Sequence, residues 1–125
     1  PVTPLKTQLN PFLGCDPIAW LVYPVETIIA EKLHPLVALG KVNSRSKDIF
    51  DLAHLLPRAD RMKVNSAIVK TFEYRKTEMP ENLHQYLKNL DTSRLKRGWK
   101  AAVKGIVNPG DFDDSYAVIL DWFLV

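Results

Sequence analysis

The chain has little of what several chemistries require. It holds a single cysteine, Cys15, so no internal disulfide can form. Its three histidines, His34, His54 and His84, are widely separated and give no zinc-ligand spacing with that thiol. Long apolar runs are missing too: residues 18–23 form one of the longest, far short of the roughly 20 residues a membrane span needs. The opening PVTPLKTQLN lacks the apolar core of a secretory signal. A lone thiol and no signal together lead to the expectation of a reducing, cytoplasmic setting. Glycine is scarce, five in all, and none sits in the glycine-rich loop that cradles phosphates. Internal repeats and low-complexity tracts are lacking as well.

What remains is ordinary globular material. With 125 residues, 46% of them hydrophobic and 25% charged, the chain suits one soluble domain with a modest core. A net charge of +3 and a pI of about 9.1 are compatible with a phosphate-bearing partner without singling one out. Because it starts at Pro1 rather than Met, the chain is expected to be a processed fragment or an expressed piece of something longer.

Residues 1–22 differ from the rest. Pro1, Pro4, Pro11 and Pro17 disfavour a helix there, and short extended pieces are expected over residues 5–9 and 19–22. Such pieces make no stable sheet alone, so this segment reads as the edge of a neighbouring domain. From Pro24 onward the apolar spacing is helical. The first helix is expected over 24–39, stopped by Gly40 and bent or broken near His34 by Pro35. The second opens at the capping residues Asn43 and Ser44 and runs to Leu56, before Pro57. Further helices are expected over 62–74, 81–89, 93–106 and 112–124. The fold class is therefore mainly α: a helical bundle over 23–125 with a short irregular or extended N-terminal segment.

Two charged residues fall on apolar faces. At about 100° per residue, Ile28, Ile29, Leu36 and Leu39 lie within about 60° of Val25, and so does Lys32, at about −20° from it. A lysine there snorkels, pairs with a carboxylate or lines a cavity. On the second helix Asp48 shares its face with Leu52 and Leu55, within the first turns, where the helix N-terminus favours a carboxylate. The short link 40–43 makes a hairpin in which Lys32 and Asp48 can approach. Geometry alone leaves two roles open: an ion pair that fixes the hairpin, or a cleft where Lys32 meets a phosphate and Asp48 handles a proton or holds geometry. By the same construction Glu31 faces away; Asp51 is read as structural. In 93–106, Leu95, Trp99, Ala102, Val103 and Ile106 form an apolar face opposite Arg97, Lys100 and Lys104. That pattern suits a solvated amphipathic helix or a ribbon guiding an RNA backbone. The terminal ILDWFLV reads as core, part of which could drive self-association if left exposed.

The string YPVETIIAEKLHPLVALGKVNSRSKDIFDLAHL, residues 23–55, resembles the AbiEii/AbiGii-type nucleotidyltransferase toxins of type IV toxin–antitoxin systems. The matching positions are Tyr23 and Pro24; Glu26; Ala30, Glu31, Lys32 and Leu33; Asn43, Ser44 and Arg45; Lys47 and Asp48; Asp51 and Leu52. Downstream, residues 67–80, with Arg75 and Thr77, and Trp99 extend the resemblance, and the opening PVTP resembles text just after the family's carboxylate-bearing strand. The resemblance implies the C-terminal part of a DNA-polymerase-β-like nucleotidyltransferase, with residues 1–22 the edge of its nucleotidyltransferase domain. It further implies a nucleoside triphosphate with Mg²⁺, transfer of a nucleotidyl group to RNA such as tRNA, and a cognate antitoxin as partner.

Carried over by position, Lys32 matches the lysine that contacts the triphosphate and Asp48 the later essential aspartate. Arg45 and Lys47 are further candidates for phosphate contact, and Arg75 and Thr77 have no chemical role to assign. One departure stands out. The family's early glycine turn and D-x-D pair are absent; Asp111, Asp113 and Asp114 lie at the wrong end and read as a turn and helix cap. No metal ligand is therefore assigned, and no cofactor is expected in this chain alone. Whether the chain is itself an enzyme stays open: the expectation is the C-terminal portion of a toxin-type nucleotidyltransferase, inactive by itself. The alternative is a non-catalytic helical nucleotide- or RNA-binding or interaction domain.

Overall fold

The computed structural model describes residues 24–124, and over these the chain is helical with no strand. The extended pieces expected within 1–22, Cys15 and Tyr23 lie outside the described residues. Seven helices follow in order: α1 (Val25–Ala38), α2 (Ser46–Leu55), α3 (Arg61–Tyr74), α4 (Leu83–Asn89), α5 (Ser93–Arg97), α6 (Trp99–Ala102) and α7 (Phe112–Trp122). α1 lies along α3 on one side and meets α2 on another; α2 also packs on α6 and α7, and α4 packs on α7. The mainly α expectation holds, and among the described residues no helix is long and apolar enough to cross a membrane.

Local chemistry sets the boundaries. Asp60 caps α3 by accepting from the amides of Met62 and Lys63, Asn82 caps α4 through Gln85 N, and Asp111 caps α7 through Asp114 N. The acidic run at 111–114 is thus a helix start, as its sequence suggested. Gly40, at φ +57°, ends α1 in the left-handed region that only glycine adopts freely. α3 ends in a Schellman motif without glycine: Thr77 N donates to Phe72 O and Lys76 N to Glu73 O, with Lys76 at φ +55°.

Some boundaries depart from expectation. α1 continues through Pro35 unbroken; the missing proline N–H leaves one carbonyl unpaired, which fourteen residues of packed helix tolerate. α2 starts at Ser46, because Asn43 spends its side chain on a turn: its Oδ1 accepts from Arg45 N at 2.8 Å. α4 begins at Leu83, two residues later than residue 81 and just after its Asn82 cap, and α7 stops at Trp122. The helix expected over 93–106 is divided at Gly98 and ends at Ala102. A Cβ at position 98 would stand 2.8 Å from Ser46 Oγ, whose hydroxyl donates to Leu95 O at 2.7 Å. The glycine is therefore there for close approach of α5 and α6 to the start of α2.

The core draws Ile29, Leu33 and Leu36 from α1, Ile49 and Leu52 from α2, Val64, Ile68 and Phe72 from α3, Leu95 and Trp99 from α5 and α6, and Phe112, Tyr116 and Ile119 from α7. The polar tips of its aromatics are satisfied: Trp99 Nε1 donates to Gly110 O and Tyr116 Oη to Leu87 O. Of the terminal ILDWFLV, Ile119 is fully buried while Leu124 is exposed. The buried side of α1 is rotated from the stripe expected. Leu36, Ile29, Leu33, Ala30 and Thr27 are buried, an arc from about 20° to about 200° relative to Val25, whereas Ile28 and Leu39 are exposed. Lys32 therefore lies at the edge of the buried arc, not in its middle.

Lys76 holds a left-handed conformation that costs a non-glycine residue roughly 1 kcal/mol. Lys76→Gly should raise unfolding stability by about that amount, measured by urea denaturation with an unchanged m-value; a loss of stability would show that the lysine stem contributes packing.

Candidate functional site

At the edge where α1 meets α2, five charged side chains interlock. Lys32 Nζ lies 2.9 Å from Asp51 Oδ2 and 3.3 Å from Asp48 Oδ1. Arg45 Nε donates to Asp48 Oδ2 at 2.7 Å, and Lys47 Nζ lies 3.4 Å from Asp51 Oδ1. Each carboxylate thus touches two cations, and Lys32 touches both carboxylates. The Asp48 side chain is 7% exposed, Lys32 26%, and Arg45 and Lys47 more than half, so the cluster is closed at Asp48 and opens to solvent along its cations. Lys32 and Asp48 meet as expected. Asp51 was missed as a partner of Lys32, although its i+3 spacing from Asp48 put it on the neighbouring stripe of the same helix.

The entry to α2 is what holds this arrangement. Asn43 is buried and its Asx turn orients Arg45 N; its Nδ2 has no hydrogen-bond partner among the described residues. Ser46, also buried, pins the first turn to Leu95. The adjoining residues Arg45 and Lys47 are left on the outside. Asp48 lies in the first turn, where unpaired amides favour negative charge.

Burial acts to lower the Lys32 pKa, but hydrogen bonding to and the charge of Asp51, followed by Asp48, outweigh it and hold the ammonium above its ordinary value. Lys32 is therefore a fixed cation at neutral pH and cannot serve as a base. Formal charges are three positive and two negative, leaving the cluster at +1. An ammonium has three donors; with two carboxylates beside it, one donor remains among the described residues for an incoming oxygen. The carboxylates fit a divalent metal poorly, since both are already engaged by cations, and no group of three or more potential ligands exists among the described residues.

A family model, the nucleotidyl transferase AbiEii toxin of type IV toxin–antitoxin systems, matches residues 2–118. The chain belongs to the AbiEii family. No curated protein and no solved structure matches it. Membership brings the expectation of an antitoxin partner, as the family's type IV designation states.

In this AbiEii-family chain the downstream stretch 67–80 folds back onto α1. Arg75 donates through Nε, at 3.1 Å, and Nη2 to one oxygen of Glu31. Glu31 therefore does not face away: it sits at the other edge of the buried arc and pairs with Arg75. Thr77 Oγ1 lies 2.7 Å from His34 Nε2 and 3.3 Å from Arg75 O. With the hydroxyl proton directed to that carbonyl, the imidazole Nε2–H is the donor. Phe72 meets the same ring edge-on at 5.1 Å. Glu31, His34, Arg75 and Thr77 thus tie the end of α3 to α1 at the opposite edge of the buried arc from Lys32.

The basic side chains Arg97, Lys100 and Lys104 are exposed, and no ion pair engages them among the described residues. Their opposing residues Leu95, Trp99 and Val103 are buried as expected. The division at Gly98 separates Arg97 on α5 from Lys100 on α6, and Lys104 lies in the turn after α6. The three are therefore not one continuous helical ribbon.

Burial, then the Arg75 guanidinium, pushes the His34 pKa below its ordinary 6.5, with Glu31 opposing. A histidine whose folded pKa is lower than its unfolded one binds fewer protons when folded, so stability rises with pH. Stability should be complete above pH 6.5 and decline as pH falls below that toward the lower folded-state value. Urea titrations at about pH 7.5 and about pH 5.5 should show a loss smaller than the one-proton limit of about 1.4 kcal/mol per pH unit, given solvent screening. His34→Gln should flatten that decline; an equal decline in the variant would assign it to other groups.

Proposed function

We propose that this chain supplies the triphosphate-contacting part of a toxin-type nucleotidyltransferase, with Lys32 donating to a phosphate oxygen. The observation that carries the reading is the Lys32 ammonium: charged at neutral pH, partly exposed, and, among the described residues, left with one donor beyond its two carboxylates in a cluster of net charge +1. Arg45 and Lys47 flank it on the exposed side and would add charge toward the same phosphates. Asp48, buried and held by Arg45 and Lys32, organises these cations. Its engagement by two of them makes a proton-accepting role the weaker assignment.

The acceptor in this reading is RNA, with tRNA the expected form, and the setting is the cytoplasm, where nucleoside triphosphates and RNA are found. Arg97, Lys100 and Lys104 are proposed to meet the acceptor backbone. α5 and α6 pack on the start of α2 through Ser46, the residue between Arg45 and Lys47, and this packing supports the reading. Because Asp48 and Asp51 are already engaged by cations, the metal ions such a transfer uses would be held by other carboxylates, and no step through them is assigned to these residues. The second reading is a non-catalytic interaction domain in which the five charges only clamp the hairpin. Their mutual pairing favours it.

Titration of the chain with each nucleoside triphosphate separates the two. Binding that weakens by about tenfold or more in Lys32→Ala, with the fold intact by circular dichroism, is the expected result. No binding by the unaltered chain, together with marked destabilisation of the variant, would favour the clamp. Incubation of the chain with labelled nucleoside triphosphates, Mg²⁺ and tRNA should leave the RNA unlabelled; label transfer would overturn the assignment of the metal-binding step to other residues.

A further inference from the structure

We propose that Asp51 is the positioning residue for Lys32, and that Asp48 chiefly holds Arg45. The partner distances divide the cluster in this way. Asp51 Oδ2 is the nearer carboxylate to Lys32 Nζ, at 2.9 Å against 3.3 Å for Asp48 Oδ1. Asp48 has a closer partner of its own, Arg45 Nε at 2.7 Å, whereas the second cation of Asp51 is the more distant and half-exposed Lys47, at 3.4 Å. The two shortest contacts are therefore Arg45–Asp48 and Lys32–Asp51, with the Lys32–Asp48 hydrogen bond the cross-link between them.

The helix explains why two aspartates are used. Asp48 and Asp51 are three residues apart, so their carboxylates stand side by side along the edge of α2 that faces α1. A lysine reaching from α1 has a flexible four-carbon stem, and one carboxylate leaves its head free to swing. Two acceptors on adjacent turns fix the nitrogen and direct the third N–H away from both. The charge balance agrees: burial works against the ammonium, and Asp51 contributes more than Asp48 to overcoming it.

The consequence for ligand contact rests on Lys32 meeting phosphate, but the positioning itself does not, and one set of variants tests the two separately. The ¹⁵Nζ resonance of Lys32 is followed by NMR through alkaline titration in the unaltered 125-residue chain, Asp51→Asn, Asp51→Glu and Asp48→Asn. Asp51→Asn should lower the Lys32 titration point more than Asp48→Asn does, and Asp51→Glu should restore most of the difference. A larger effect from Asp48→Asn would overturn the proposal. If an asparagine variant fails to fold, acid titration of the unaltered chain decides. The Lys32 ¹⁵Nζ shift should follow the Asp51 carboxyl ¹³Cγ transition, and tracking Asp48 instead would overturn it. Titration with ATP then reads the functional consequence: affinity about five-fold weaker in Asp51→Asn and partly recovered in Asp51→Glu. Unchanged ATP affinity in Asp51→Asn would overturn the positioning role for ligand. Absence of ATP binding by the unaltered chain would refute the phosphate reading and leave the NMR result to decide the positioning.

Discussion

A lysine ammonium at the boundary between two helices cannot be left without partners, and much of the local architecture follows from that constraint. Lys32 sits where α1 turns from core to solvent, so it is desolvated enough to need counter-charge and exposed enough to meet a ligand. The counter-charge must come from the next helix, and α2 supplies it twice. Two carboxylates so close would repel each other; Arg45 and Lys47 offset that. The outcome is a ladder of alternating charge whose surplus is one positive charge on the open side. A pair of such helices has to be held in register, and the Asn43 turn and the Ser46–Leu95 bond do so from the backbone side.

The helices themselves were largely legible from apolar spacing and end signals. Asp60, Asn82 and Asp111 cap as short polar residues before helical runs do, and Gly40 stops α1. The misses have physical causes. Asn43 looked like a cap because caps and Asx turns use the same side-chain acceptor. Pro35 signals a break locally, yet a helix packed against both α2 and α3 keeps its path. The division at Gly98 has a weak local signal in the glycine itself, but its contact with Ser46, more than fifty positions earlier, is not visible in any local pattern.

The candidate site was legible in part for a similar reason. A helical wheel centred on Val25 included Ile28 and Leu39, which the fold leaves exposed, so it turned the buried arc of α1 the wrong way. That error placed Lys32 too deep and Glu31 too far out. The pair Lys32 and Asp48 still emerged, because both lie where the two arcs touch. Asp51 and Arg45 required the actual helix pairing, since a wheel gives directions but not the distance across to a neighbour.

The contact between Ser46 and Gly98 has a bearing on how sequences of this kind can change. With Ser46 Oγ only 2.8 Å from where a Cβ at position 98 would stand, the two positions share one small volume. A side chain at 98 would have to displace the hydroxyl from Leu95 O, and a larger residue at 46 would meet the backbone of 98. Substitution at one is therefore tolerated best alongside substitution at the other. The pair should drift together through descent, a signature of linked variation that local helix preference at either position would not produce.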